Sequence, residues 1–415
     1  MISGGAHMAE DPERLPFRDL NIVQGGQTFG MFEGIRVVDV TTSIAGPYAT
    51  MLLSDFGAEV VKVERPDGDD ARAWGPPFLN GQSLWFTAVN RNKRSVVIDI
   101  QTQAGRADLM ALVRTADVFV TNQPPEVQRK LGLDYDSLRA VREDIVFVSV
   151  TGFGLTGERS SLTCYDLIAE GYSGVMDITG AADSGPQKIG APAADMLAGQ
   201  DAAMAAMAAL FDRQRTGKGH LVDVSLVESM TRFLTCRISP YLGSGEVPAR
   251  SGGTDSVIAI YQAFDTADLP ITLGLGNDGI WARFWRAVGD PDYAARPEFK
   301  SNVDRRQQRE AIVGHIRQVL LTKTRDEWLA ILAEARVPAG PINRIDEVAA
   351  DGALRERGLF YVCTDGRRVV PQIGLGIRVN NAVSTARLAP PVLGEHTEEI
   401  LAALRATEDT TQSQI

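Results

Sequence analysis

The sequence predicts an α/β fold built on a doubly wound parallel sheet, followed by a second, smaller domain. Short apolar runs typical of buried strands alternate with helical stretches. The first strand–helix–strand unit occupies roughly thirty residues, as a right-handed βαβ crossover does. The unit then repeats, and this alternation is typical of a parallel sheet covered by helices.

The first unit starts at Ile35–Asp39, a short apolar run that ends in an acid. Pro47 favours the first turn of a helix, and Gly57 favours its end. Glu59–Val63 has the composition of the next strand. These features place the turn between Asp39 and Pro47 at the carboxyl end of a strand.

The alternation continues through the first half of the chain. Further strands are predicted at Ser95–Ile100, Val118–Thr121, Ile145–Val150 and Leu221–Val224, and helices at Gly105–Thr115, Leu197–Arg215 and Glu228–Ile238. Residues 243–254 are rich in Gly, Ser and Pro and indicate a linker or loop. The second domain is predicted beyond it, with strands and a helix at Ile258–Phe264, Ile271–Leu275 and Trp281–Val288.

Composition excludes several classes of function. The 415 residues carry a net charge of −11, with a pI near 5.0, which disfavours nucleic acid as a partner. The three cysteines are far apart and show no metal-binding spacing, so no metal site is expected and a reducing compartment fits best. We find no apolar run near the ~18 residues that a membrane helix needs. A cytoplasmic protein with no membrane association is expected.

The turn from Asp39 to Pro47 lies where α/β sheets bind ligands. It contains only one glycine, Gly46, and therefore lacks the pattern of a dinucleotide-binding loop. This argues against a nicotinamide-dependent dehydrogenase. An ordinary βα loop remains the alternative interpretation of the turn.

Basic residues recur near the predicted strand ends of this acidic chain. They are Arg65, Arg72, Arg91, Lys93, Arg94 and Lys130. In a doubly wound sheet they are expected to converge toward one edge, where they would hold the phosphates of a polyphosphate-bearing ligand. The alternative is that each is a solvated surface charge.

Asp195 stands just before the alanine-rich helix. An aspartate there is most often an N-cap, but the small residues beside it also leave room for a bulky thioester. Asp166 starts another predicted helix and could equally be a cap or a polar contact in the site. No histidine lies near either aspartate in sequence, which disfavours a Ser–His or Cys–His hydrolase.

Taken together, these segments resemble the family III CoA-transferases over residues 32–404. The resemblance is carried by the order and spacing of Gly34–Asp39, Ala45–Pro47, Phe56–Arg65, Asn90–Ser95, Val150–Gly154, Tyr165–Asp166, Ser173–Gly174, Gly190–Gly199, Thr216–Gly219 and Leu393–Thr397. It implies a Rossmann-like large domain made from both ends of the chain, a small inserted α+β domain, and a homodimer of interlocked subunits.

The resemblance also implies the site residues. Asp195 takes the place of the family's nucleophile. The CoA site is implied to involve Ser43, Ile44, Ala45, Arg65, Ile98, Asn122, Lys130 and Tyr165. The acyl group and acceptor are implied to lie near Trp74, Asp166, Gly252 and Gly253, the two glycines belonging to a loop over the nucleophile. CoA and acyl-CoA are then substrates beside small carboxylic acids, and no permanently bound cofactor is expected.

The resemblance also implies a division of the chain into four segments. Residues 1–30 are expected to form a tag and an amino-terminal arm, and 31–225 the large CoA-binding domain. Residues 226–324 would form a linker helix and the small domain, and 325–415 a return segment that completes the large domain.

Two other functions remain open, and the acceptor is undefined. An α-methylacyl-CoA racemase of the same family would pair an aspartate such as Asp166 with a histidine, but this chain has Arg139 there, and arginine is a poor base. A non-catalytic subunit is disfavoured because Asp195 is retained. Residues 69–78 and 261–264 resemble the dicarboxylate (succinate–hydroxymethylglutarate) branch, whereas Asp255 and Ile260 depart from it.

Overall fold

The structure is a computed structural model in which residues 15–255 and 257–412 are described. The strands are β1 (Ile22–Gln24), β2 (Arg36–Asp39), β3 (Glu59–Glu64), β4 (Phe78–Leu79), β5 (Gln82–Ser83), β6 (Lys93–Val97), β7 (Val118–Thr121), β8 (Val146–Thr151), β9 (His220–Ser225), β10 (Tyr261–Phe264), β11 (Ile271–Gly274), β12 (Ala339–Pro341), β13 (Phe360–Thr364), β14 (Val369–Ile373), β15 (Arg378–Val379) and β16 (Ala382–Val383).

The helices follow the same chain order. They are α1 (Ala45–Asp55), α2 (Leu84–Ala88), α3 (Gln103–Thr115), α4 (Pro125–Leu131), α5 (Tyr135–Val141), α6 (Asp166–Ser173), α7 (Val175–Ile178), α8 (Ala193–Thr216), α9 (Leu226–Phe233), α10 (Thr235–Ser244), α11 (Asp278–Ala287), α12 (Pro291–Ala294), α13 (Asn302–Gln307), α14 (Arg309–Leu320), α15 (Arg325–Glu334), α16 (Ile345–Ala350), α17 (Gly352–Glu356) and α18 (Thr397–Gln412). The tag predicted at the amino terminus falls mostly outside the described residues.

Six strands form a parallel sheet in the order β6-β3-β2-β7-β8-β9. Counted along the chain this order is 3-2-1-4-5-6, which is the order of a Rossmann-type doubly wound sheet. The predicted α/β class and parallel sheet are confirmed. The strand order reverses between β2 and β7, and such a reversal opens a crevice at the carboxyl ends of the strands.

The strands are apolar because helices cover both faces of the sheet. Val38 and Val61 are almost fully buried, and the rings of Phe119 and Phe147 stack with their centroids 5.8 Å apart. Leu109 of α3 joins the same core. The carboxyl ends of the strands are therefore rigidly placed relative to one another.

The chain divides into two compact units. Within the described residues the first comprises 15–173, 190–234 and 349–412, and the second comprises 174–189 and 235–348. The second unit thus extends beyond the predicted end at residue 324, because Trp328 and Leu332 of α15 lie in its apolar core and β12 pairs with β11. The return segment starts correspondingly later than predicted.

Two of the differences between the predicted and the observed helices affect the site or the division into units. The helix predicted over 228–238 is wrong as a single element, because α9 ends at Phe233 and α10 begins at Thr235, where the boundary between the units falls. The helix predicted from Leu197 begins four residues earlier, at Ala193. This earlier start changes the position of Asp195 in the helix.

Candidate active site

Asp195 lies in the first turn of α8, at the third helical position. The N-cap residue is Pro192, which makes no side-chain capping bond, so the interpretation of Asp195 as an N-cap is wrong. Ala194, Ala198 and Gly199 beside it are buried and small. The helix packs against α1, β8 and β9, which places its amino end at the ligand-binding edge of the sheet.

Asp166 provides the cap that α8 lacks. Its Oδ1 accepts hydrogen bonds from the backbone N–H of Ala194 at 2.8 Å and, more weakly, from that of Asp195 at 3.4 Å. Asp166 is itself the first residue of α6. Among the described residues, no hydrogen bond reaches the Asp195 carboxylate. One helix end therefore holds two carboxylates, of which only Asp166 is bonded to the backbone.

This arrangement changes the acidity of Asp195. Burial, and then the negative charge of Asp166, raise the pKa of Asp195 to about 7. Both effects penalise the ionised form. Cys164 lies close enough to feel the same charges, because burial and then Asp195 raise the pKa of this thiol to about 11. At neutral pH a substantial fraction of Asp195 is ionised and Cys164 is protonated.

A cleft of about 600 Å³ opens at the carboxyl ends of β2, β3, β6 and β7. Its walls include Thr41, Thr42, Glu64, Arg65, Gly68, Asp69, Ile98, Gln101, Gln123, Val127 and Leu131. Arg65 and Ile98 are two of the residues expected to contact CoA. The cleft coincides with the reversal of strand order, where doubly wound sheets bind nucleotides.

The other predicted CoA residues surround this point. Asn122 spans the reversal, since its side chain accepts from Thr42 N–H at 3.1 Å and donates to Thr42 C=O at 2.8 Å. Ser43 has a left-handed backbone with a φ of 70° and donates its N–H to Asp69. Ile44 and Ala45 are buried.

The loop of residues 42–45 also contacts the helix that carries Asp195. A Cβ added to Gly199 would lie 2.6 Å from the carbonyl oxygen of Ala45 and 3.0 Å from the Tyr48 ring. Only a glycine permits this approach. The predicted CoA loop and the predicted nucleophile are therefore mechanically connected within the first unit.

Buried ion pairs hold the loop in place. Lys62 Nζ lies 2.8 Å from Asp69 and donates to Thr41 C=O, while Lys93 Nζ lies 3.0 Å from Asp39. Burial would raise the pKa of Asp39, but Lys93 and Lys62 outweigh it and lower that pKa. Burial lowers the pKa of Lys93 to about 8 in spite of its pairing with Asp39.

The predicted convergence of basic residues on one ligand is therefore wrong for most of the set. Arg72 forms a two-point pair with Glu64, and Arg91 is buried against Asp55. Lys93 is the buried partner of Asp39, and Arg94 pairs with two glutamates. Arg91 and Lys93 thus neutralise buried acids, while Arg72 and Arg94 are partly exposed but already paired with glutamates.

The remaining candidates are exposed or lie elsewhere. Arg65 is exposed and pairs with Asp70, and Lys130 is exposed on α4. Tyr165 is exposed directly before α6, and the Trp74 ring meets the edge of Trp85 at 6.4 Å. These four belong to the first unit. Their contacts with CoA or the acyl group stay predictions.

Gly252 and Gly253 belong to the second unit. The N–H of Gly252 donates to Gly180 C=O at 2.9 Å, so this donor is occupied. Asp255 follows the glycines, and its carboxylate pairs with Arg237 at 3.2 Å. Arg237 therefore neutralises the charge of Asp255, a residue by which this chain differs from the dicarboxylate branch.

Sequence reasoning missed Lys62 and Asp69 as residues that position the site. A signal was present, because a lysine in the middle of the apolar run Glu59–Val63 must be paired if it is buried. The pattern alone did not identify the acid that pairs with it.

The fold and this site define an enzyme of the CoA-transferase class. Residues 32–397 match the family described as CoA-transferase family III, and the chain belongs to it. Succinate–glutarate CoA-transferase of Agrobacterium fabrum is 38% identical over 91% of this chain and 96% of its own length. Succinyl-CoA:mesaconate CoA-transferase of Haloarcula marismortui is 34% identical over 90% and 96%.

Solved structures agree with these sequence matches. A CAIB/BAIF family protein from Brucella suis has a TM-score of 0.80 and is 37% identical, covering 91% of this chain and 100% of that one. Rv3272 from Mycobacterium tuberculosis also has a TM-score of 0.80, at 26% identity, over 89% and 98%.

The described residues contain neither a candidate metal cluster nor a candidate membrane-spanning helix. No group of three or more His, Cys, Asp or Glu side chains there could hold a metal ion. No helix in the same part of the chain is both long and apolar enough to cross a bilayer.

Proposed function

We propose that this CoA-transferase moves CoA from a dicarboxylic acyl-CoA, such as succinyl-CoA, to a second dicarboxylic acid through covalent intermediates on Asp195. The observation that carries the proposal is a half-buried, unbonded carboxylate at the amino end of α8, next to the cleft loop. The relatives named for succinate with glutarate and for succinyl-CoA with mesaconate support the dicarboxylate class.

The proposed reaction has balanced steps. The Asp195 carboxylate attacks the donor thioester carbonyl, the C–S bond breaks, and a mixed anhydride and the CoA thiolate form. The thiolate attacks the aspartyl carbonyl of the anhydride, which releases the donor carboxylate and leaves an aspartyl-CoA thioester. The acceptor carboxylate then attacks that thioester and releases the CoA thiolate, which leaves an anhydride between Asp195 and the acceptor. The thiolate attacks the acceptor carbonyl of this anhydride, which yields the new acyl-CoA and regenerates the Asp195 carboxylate.

Electrostatics make Asp195 suitable for this role. A carboxylate with an ordinary pKa near 3.9 is a weak nucleophile. Burial and Asp166 raise the pKa of Asp195 to about 7, which makes its ionised form more basic while a useful fraction stays ionised at neutral pH. Each tetrahedral intermediate also needs N–H donors that stabilise its oxyanion.

The test is incubation of the purified protein with succinyl-CoA and a panel of acids, followed by mass spectrometry of the thioesters. We expect new thioesters with the wild type and at least a thousand-fold loss with Asp195→Asn, which keeps the shape of the side chain. Asp212→Asn, at the other end of α8, is the control and should remain active. A racemase would exchange an α-proton with solvent and form no new thioester, and a silent subunit would do neither.

A further inference from the structure

We infer that Asp166 is a positioning residue that holds the amino end of α8 and, by its charge, destabilises the free Asp195 carboxylate so that acylation of Asp195 relieves a repulsion. This inference rests on the proposed role of Asp195 as nucleophile. It assigns Asp166 a function toward the enzyme's own carboxylate instead of toward substrate.

The geometry separates the two aspartates by role. Asp166 Oδ1 is 2.8 Å from the Ala194 nitrogen and 3.4 Å from the Asp195 nitrogen, so it occupies the N–H groups that usually stabilise a carboxylate in the first helical turn. Asp195 therefore has the location of a helix-stabilised acid without the stabilising bonds. Its carboxylate meets a like charge in a half-buried place, where water screens poorly.

Other charged groups near α8 do not offset this field. Apart from Asp166, the titratable residues on the elements that pack against α8 are Tyr48, Asp55, Glu170, Tyr172, His220, Asp223, Glu228 and Arg232, and Cys164 lies just before α6. Asp55 is buried in an ion pair with Arg91. Arg232 pairs with Asp201 farther along α8, and the pKa of the Cys164 thiol is raised, so it stays neutral. Asp166 is the one charge among the described residues that raises the pKa of Asp195 beyond the effect of burial.

The chemical consequence concerns the covalent intermediates. The anhydride and the thioester at Asp195 are both neutral at that carbonyl, so each removes the negative charge that faces Asp166. The free carboxylate bears the penalty and the intermediates do not. This favours acylation and reduces reversion of the enzyme to free Asp195.

The test compares Asp166→Asn with the wild type. Asn keeps an oxygen for the Ala194 N–H and removes the charge. The midpoint of the rise of kcat/KM with pH should therefore be lower in Asp166→Asn by about one pH unit or more. The direction follows because Asp195 must be ionised to attack, and its pKa falls toward the ordinary value. Intact-protein mass spectrometry after incubation with succinyl-CoA should also show less Asp195–CoA adduct in Asp166→Asn.

The controls distinguish charge from packing. Asp166→Glu keeps the charge and should keep the midpoint closer to that of the wild type, whereas Asp201→Asn should leave it unchanged. A wild-type midpoint below pH 5 overturns the inference without any variant, as does an unchanged midpoint in Asp166→Asn. A wild type that forms no adduct and no new thioester at any pH would instead overturn the proposed function.

Discussion

Arg65 is the residue of the cleft whose role in binding can be tested most directly. Its guanidinium is exposed, donates to Gly68 C=O at 2.8 Å and pairs with Asp70, so it lies at the wall of the cleft without being buried. It is a cation available to a phosphate in a cleft that is otherwise rich in acids. A bidentate arginine–phosphate contact adds both binding energy and orientation.

We expect Arg65→Ala to raise KM for the acyl-CoA about ten-fold or more with little change in kcat, because a charge-assisted contact contributes roughly 1.5–3 kcal/mol. Steady-state kinetics with succinyl-CoA as the varied substrate measures this. Arg344→Ala removes another exposed, ion-paired arginine, in the second unit, and should behave as the wild type. An unchanged KM in Arg65→Ala would remove Arg65 from the CoA site.

At the same scale, the sequence identified Asp195 and Asp166 separately but not their relation. Ala194 lies 28 positions after Asp166, and only the packing of α6 against α8 brings the carboxylate to that N–H. The predicted convergence of the basic residues was wrong for a related reason. A sequence shows how many cations follow the strands but not which acids they neutralise, as with Arg91 and Asp55.

Among the elements, the contact between α8 and the cleft loop is the most restrictive. Gly199→Ala places a methyl group 2.6 Å from Ala45 C=O, where backbone cannot give way easily. Glycine to alanine inside a helix ordinarily stabilises by about 1 kcal/mol. We expect the opposite sign here, with destabilisation of about 1–3 kcal/mol and weaker acyl-CoA binding because the loop is displaced.

Thermal unfolding and KM for succinyl-CoA measure the two effects of Gly199→Ala. Gly314→Ala is the matched control, because Gly314 lies within α14 and an added Cβ meets nothing within 4 Å. It should stabilise slightly and leave kinetics unchanged. Stabilisation by both substitutions would show that the loop does not press against α8.

The elements themselves were largely predictable, and their ends were not. Strands β2, β3 and β7 follow from apolar runs bounded by Pro and Gly, whose physics is local. The break at Leu234 between α9 and α10 has no Pro or Gly to announce it. It arises where one compact unit ends and the other begins, which is a property of tertiary packing.

For the whole molecule, exposed apolar residues support the proposed homodimer. Met204 and Phe211 of α8, Phe233 of α9 and Leu221 of β9 are each about half exposed or more, on elements of the first unit that contact one another. Large apolar side chains clustered on a surface usually mark an interface.

Sedimentation equilibrium should therefore give twice the chain mass of 44.8 kDa. Introducing Phe211→Glu together with Phe233→Glu should shift the protein toward the monomer, because each adds a charge to an apolar interface. Ile345→Glu changes an exposed apolar residue of the second unit and should leave the mass unchanged. A wild type that sediments with the mass of one chain contradicts the homodimer.

The return of the last segment to the first unit has a consequence for biosynthesis. Arg91 donates to Gln372, Asn92 accepts from the N–H groups of Arg387 and Leu388, and Ser95 receives Gly394 N–H. During translation, the residues around the start of β6 therefore cannot form these hydrogen bonds until the partner residues, some three hundred positions later, have been synthesised. On the ribosome, the second unit is therefore complete before the first. A product truncated before residue 370 would lack the hydrogen-bond partners of Arg91, Asn92 and Ser95.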